Sequence, residues 1–164
     1  MSFQTSSITT NDKKEFYSLL IKQAEGLLSH ENNKIANAAN LSALLFHNLT
    51  DVNWAGFYFY VESQKELVLG PFHGEVACTR IPLGQGVCGT AFSSNKVLRV
   101  DDVHAFKGHI ACDSASNSEI VIPINYSGNT IGVLDIDSPN HARFDSQDQE
   151  SLEKIVEAYI KSID

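Results

Sequence analysis

Cys78, Cys88 and Cys112 are the three thiols of this chain, and two of them sit in conspicuous settings. Cys88 lies in Val87-Cys88-Gly89, directly behind the turn Gly84-Gln85-Gly86, and Cys112 lies in the stretch His109-Ile110-Ala111-Cys112-Asp113. Thiol chemistry belongs to the thiolate, which apolar burial suppresses. The surroundings of Cys112, with His109, Asp113, Ser114 and Ser116 close in sequence, suit a working thiolate better than an aliphatic core does. Three fates compete for these sulfurs. Inert burial is common for cysteine and is a serious contender for Cys88. Zinc could draw on Cys78, Cys88, Cys112 and His109, but only His109 and Cys112 form a close pair, whereas zinc ligands arrive in short paired spacings. Redox chemistry needs one thiolate to attack and a second thiol to resolve the product as a disulfide, and three thiols supply a nucleophile, a resolver and a spare.

Leu134-Asp135-Ile136-Asp137 is the second chemical signal. On a strand, residues two apart share a face, so both carboxylates point one way and both aliphatic side chains the other. Like charges in one site push a carboxyl pKa upward and can leave one group protonated near neutral pH. The bland alternative is the wet face of an antiparallel sheet. Glu119 opens the preceding strand and either approaches these aspartates across a hairpin or ends the strand in water. Trp54 and Tyr58, four apart, share a strand face and are either core or the apolar wall of a small-ligand pocket.

The elements that must hold these residues are legible from periodicity. Lys13 to Ser29 and a stretch from Ile35 to Leu49 carry apolar residues at helical spacing. Val52 to Tyr60 and Glu66 to Leu69 read as strands separated by the turn Glu62 to Lys65. Val87 to Phe92 reads as a short helix, Val97 to Val100 as a strand, and Asp101 to Ser118 as a polar loop. Glu119 to Tyr126 and Thr130 to Asp137 form a hairpin through Ser127-Gly128-Asn129. A last helix starts near Asp145 or Ser146, where Ser146-Gln147-Asp148-Gln149 fits a capping box. Helices at both ends of a mainly antiparallel set of strands make an α+β domain. The expectation is a single domain over residues 1–164, with a flexible start over residues 1–11.

Several classes fall away on composition and motif. The net charge of −8, from 12 basic and 20 acidic residues, disfavours a nucleic-acid partner. No apolar run is long enough to span a bilayer and the start has no signal-peptide centre, so the expected compartment is cytoplasmic. Gly84-Gln85-Gly86 is followed by no Lys-Ser/Thr, and no Gly-x-Ser-x-Gly elbow is present, which removes phosphate-loop and serine-esterase chemistry.

Pro82-Leu83-Gly84-Gln85-Gly86-Val87-Cys88-Gly89, the Cys112 stretch, Ser118-Glu119-Ile120-Val121 and Leu134-Asp135-Ile136-Asp137, in this order and spacing, together resemble the free methionine-(R)-sulfoxide reductases, which are single-domain GAF proteins. The resemblance covers nearly the whole chain. It implies a GAF fold, with a central antiparallel sheet and helices packed on one face, in a protein that pairs as a homodimer. By position it makes Cys112 the nucleophile, Cys78 the resolving thiol and Cys88 a third thiol able to join disulfide exchange. It makes Glu119, Asp135 and Asp137 the substrate-binding carboxylates, and Trp54 and Tyr58 the aromatic wall. The implied reaction reduces free L-methionine-(R)-sulfoxide through a sulfenic acid at Cys112 and an intramolecular disulfide, with thioredoxin as the recycling partner and no cofactor. Two other readings remain: a GAF sensory module that binds a small ligand without chemistry, and a zinc-stabilised structural domain. A GAF fold hosts many functions, so the fold alone does not choose between them.

Overall fold

Two capped helices lead the chain. Asp12 caps α1 (Lys13–Leu28) by accepting from the amides of Lys14 and Glu15. Asn33 caps α2 (Lys34–Asn48) through Ile35 and Ala36, and each cap satisfies amides that the first helical turn leaves without a partner. The computed structural model describes residues 5–108 and 114–164. After α2 come β1 (Trp54–Val61), β2 (Glu66–Gly74), β3 (Arg80–Pro82), α3 (Gly86–Ser94) and β4 (Leu98–Val100). A 3-10 turn at Val103–Ala105 leads toward β5 (Ser118–Tyr126), β6 (Asn129–Ser138) and α4 (Ser146–Ser162). The strands form one antiparallel sheet in the order β3-β2-β1-β6-β5-β4. The fold is the expected α+β arrangement.

Strand alternation divides the sheet into two chemically different faces. Ala55, Phe57, Ile120, Ile122, Leu134 and Ile136 join Leu20, Leu41, Leu45, Leu152 and Ile155 in the main core, where α1, α2 and α4 cover the sheet. The opposite face carries Trp54, Tyr58, Val121 and Val133, packed against Val87, Cys88 and Ala91 of α3. The three long helices thus share one face as expected, and the short α3 lies alone on the other. Among the described residues, no helix is long and apolar enough to cross a membrane.

Three local features differ from the sequence-based expectation. β2 runs on to Gly74 instead of ending at Leu69, because Gly70 and Pro71 together oppose Phe57 between the pairs Tyr58↔Leu69 and Gly56↔Phe72. A bulge is where a strand tolerates a proline that has no N–H to give. β3 is only three residues long, too short to show a period. The capping box of α4 uses Asp145 and Asp148, not Ser146 and Gln149: Asp145 accepts from the amides of Gln147 and Asp148, and the Asp148 carboxylate accepts from the Asp145 amide.

Asp148 does more than cap. It is fully buried, accepts from the Tyr17 hydroxyl at 2.5 Å, and pairs with Lys13 at 2.8 Å and Arg143 at 3.3 Å. One carboxylate therefore ties α1 to the start of α4. Asp148→Asn leaves two cations and a phenol facing a neutral amide, and breaking a buried ion pair from one side is costly. The variant is expected to lose about 3 kcal/mol of stability in urea unfolding, and a loss below about 0.5 kcal/mol would show that the network contributes little.

Candidate active site

Register sets the site. Trp54 pairs with Asp137, and Asp137 with Glu119, across β1, β6 and β5. One row along, Gly56 pairs with Asp135, and Asp135 with Val121. Directly paired residues of an antiparallel sheet point to the same side, so the two rows gather three carboxylates and an aromatic ring under α3. The aliphatic residues between them serve the helical core on the other side. The carboxylates do not form a wet face: Glu119 is 7% exposed and Asp135 6%, while Asp137 is half-buried.

α3 brings Cys88 down onto this group. It can lie close because Gly89 has no side chain, since a Cβ there would stand 2.4 Å from the carbonyl oxygen of Pro82. The Cys88 thiol donates to Glu119 Oε1 at 3.8 Å. One donor atom each from Cys88, Glu119 and Asp135 lie within 4.8 Å of one another. The Asp135 side chain interacts with Cys88 and Glu119, but its buried Oδ1 finds no hydrogen-bond partner among the described residues. Among the described residues, no Lys, Arg or His forms an ion pair with Glu119 or Asp135.

Electrostatics follow from that geometry. Burial, then the charges of Asp135 and Asp137, push the Glu119 carboxyl well above the usual carboxylate range. Burial likewise raises Asp135 to about 6. Cys88 rises too, through burial and then through Asp135 and Glu119, so at neutral pH it is a protonated thiol donor. It is the free cysteine among the described residues.

The aromatic wall depends on a close approach at Gly56. A Cβ there would lie 2.3 Å from the Phe72 Cβ and 2.7 Å from the far edge of the Trp54 ring. Without one, Trp54 stacks on Phe72 at 5.2 Å and on Tyr58 at 5.9 Å between ring centroids. The Trp54 indole N–H donates to the Glu75 carbonyl at 3.1 Å. The sequence pattern carries β2 only to Leu69 and so leaves Phe72 outside the strand. Its signal was the apolar residue between Pro71 and His73, opposite a glycine that only the register reveals.

Cys78 is half-buried, and its carbonyl accepts from the Tyr58 hydroxyl at 2.9 Å, which fastens its loop to the aromatic wall. Cys112 and its neighbour His109 lie outside the described residues. The chain on either side of them is anchored beside the site: Gly86 donates to the Gly108 carbonyl at 3.0 Å, and Asn117 donates to the Ser138 carbonyl at 2.8 Å. Cys88, Glu119, Asp135, Asp137, Trp54 and Tyr58 thus share one face. Together they present an acid group able to receive a cation or release a proton, beside an apolar wall.

Comparison with known proteins agrees with this architecture. The GAF domain family model matches residues 37–159, and the chain belongs to that family. It is 55% identical over 154 residues to protein YtsP of Bacillus subtilis, covering 94% of each chain. It is also 52% identical over 145 residues to the free methionine-R-sulfoxide reductase of Escherichia coli, covering 88% of this chain and 87% of that one. The X-ray structure of the free methionine-R-sulfoxide reductase from Neisseria meningitidis in complex with its substrate matches with a TM-score of 0.94 at 40% identity, over 98% of this chain and 96% of that one. Within the GAF family the chain groups with the free methionine-R-sulfoxide reductases.

Two predictions follow from the geometry. A carboxyl whose pKa is higher when folded binds its proton more tightly in the folded state, so its ionisation costs stability as pH rises from about 4 to about 6, and the loss persists above that. Asp135→Asn removes this cost. Metal-free Asp135→Asn protein is expected to be more stable than wild type at pH 7 by on the order of 2 kcal/mol, with the difference shrinking toward pH 4; a variant less stable than wild type at pH 7 would show that the carboxylate is already compensated. The second concerns Gly56→Ala, which forces Trp54 off its stack. Trp54 is the single tryptophan, so its emission should shift to the red and stability should fall by about 1–3 kcal/mol, and an unchanged spectrum would sink the close-approach argument.

Proposed function

We propose that this chain is an oxidoreductase that reduces the free amino acid L-methionine-(R)-sulfoxide to methionine. The observation that carries the reading is the buried acid pair Glu119 and Asp135, which no cationic side chain among the described residues partners, with its unsatisfied Asp135 oxygen on the face of the aromatic wall. A free amino acid supplies the missing partner as its ammonium group, while Trp54 and Tyr58 take up the apolar methyl and methylene groups. The reductases of E. coli and N. meningitidis support the choice of substrate.

In the proposed reaction the Cys112 thiolate attacks the electrophilic sulfur of the sulfoxide, and a carboxyl of the Glu119, Asp135 and Asp137 group protonates the oxygen. The sulfur–sulfur bond made by the attack and the original sulfur–oxygen bond both break as the oxygen passes to the cysteine sulfur. Methionine leaves with its sulfur reduced by two electrons, and Cys112 remains as a sulfenic acid. The Cys78 thiol then condenses with it, releasing water and forming the Cys78 to Cys112 disulfide. A thioredoxin-type dithiol reduces that bond and is itself oxidised. Cys88 acts here as a fixed thiol donor to the acid group, since its surroundings oppose the thiolate.

Turnover is measured by incubating reduced protein with free L-methionine-(R)-sulfoxide, thioredoxin, thioredoxin reductase and NADPH, and following NADPH consumption. Wild type should turn over and Cys112→Ser should not; equal rates in the two proteins would sink the assignment of the nucleophile. Cys78→Ser should release about one methionine per chain and then stall, because resolution needs the second thiol.

A further inference from the structure

We propose that Cys88, Glu119 and Asp135 form an inhibitory site for a thiophilic divalent cation of the zinc class. The three donors come from α3, β5 and β6, which explains why no paired ligand spacing is visible in the sequence. They are 4%, 7% and 6% exposed, and one donor atom from each lies within 4.8 Å of the others. Metal bonds of about 2.0–2.3 Å at tetrahedral angles set donor atoms roughly 3.3–3.8 Å apart, and the Cys88 Sγ to Glu119 Oε1 separation of 3.8 Å already meets that spacing. Small side-chain rotations bring in the third donor.

A separate observation points to a ligand. Asp135 is more than nine-tenths buried, belongs to the cluster and holds an oxygen with no hydrogen-bond partner. Buried polar oxygens are otherwise almost always satisfied, and among the described residues no cationic side chain pairs with either carboxylate. A protein N–H would satisfy that oxygen, but among the described residues none does. One sulfur and two oxygens favour zinc or cadmium over magnesium or calcium, which take oxygen ligands. Three protein donors leave a fourth position open. A cation there occupies the place assigned above to the substrate ammonium, and the inhibitory half of the proposal rests on that assignment; the metal-binding half does not.

The test uses the double variant Cys78→Ser, Cys112→Ser, which keeps the sulfur of Cys88 alone. Titration with cadmium is expected to produce a saturable thiolate-to-metal absorption band at one cadmium per chain, and zinc should raise the melting temperature through linkage. Adding Glu119→Gln or Asp135→Asn should weaken binding about tenfold or more, since even outer-shell partners of a metal carry that much. Circular dichroism confirms that each variant is folded. Absence of the band in the folded double variant overturns the site, and so does a band indifferent to both carboxylates, which would be a bare thiol adduct. Excess free methionine sulfoxide should displace cadmium, and a band it leaves unchanged overturns the inhibitory role. Normal cadmium binding with no turnover by the wild type counts against the reductase reading alone.

Discussion

Two carboxylates buried on neighbouring strands, with no cationic side chain among the described residues paired to them, impose the central constraint on this molecule. Burial acts against ionisation of both Glu119 and Asp135, and at Glu119 the charges of Asp135 and Asp137 add to it; a buried, unpaired charge is among the costlier features a fold can hold. The face toward α1, α2 and α4 is continuous apolar packing from Leu20 to Tyr159, and the ion network around Asp148 fixes the helical layer at its own end. The strained face is thus confined to the two register rows under α3. Such a distribution is expected where function and stability draw on opposite faces of one sheet.

The same register gives the site its rigidity. Asp135, Asp137 and Glu119 sit within paired strands, so their backbone positions are fixed by ladder hydrogen bonds. Residues on strands are placed more accurately than residues on loops. The aromatic wall is locked in turn by stacking on both sides of Trp54 and by its indole N–H bond to Glu75. Tyr58 then connects the wall to the loop of Cys78, which is disulfide-bonded, through its hydroxyl bond to the Cys78 carbonyl. Side chains held this way lose little conformational freedom on binding a ligand, which conserves binding free energy.

Much of this was legible in the sequence, because alternation and helical periodicity are short-range. Leu134-Asp135-Ile136-Asp137 declared its two faces, and Ser127-Gly128 sits at positive φ in the hairpin turn between β5 and β6. What alternation cannot decide is which face is covered. The choice between a wet surface and a buried acid pair depended on α3, whose docking rests on Gly89 and on a pairing in β3 too short to show a period. The extension of β2 was hidden by Pro71, which reads locally as a terminator and is accommodated by a bulge. Phe72 and its role against Trp54 went with it. Short-range chemistry found the candidate residues, and long-range register decided their environment.

Under the proposed reaction, the arrangement also accounts for a preference for the free amino acid over a methionine sulfoxide within a polypeptide. A peptide-bound residue has an amide nitrogen in place of the ammonium, so binding it would leave the acid group without a cation and desolvated. A site built to pair a polar group rejects an analogue lacking that group by about 10⁴-fold, because its own buried partner is left unpaired. The aromatic wall contributes far less discrimination, since it contacts only the apolar part that both forms share. Under the proposed reaction, selectivity for the free substrate therefore resides in Glu119 and Asp135, while Trp54 and Tyr58 supply affinity common to both. The cost carried by the unliganded acid pair and the preference for a small cationic substrate are then two expressions of the same buried charge.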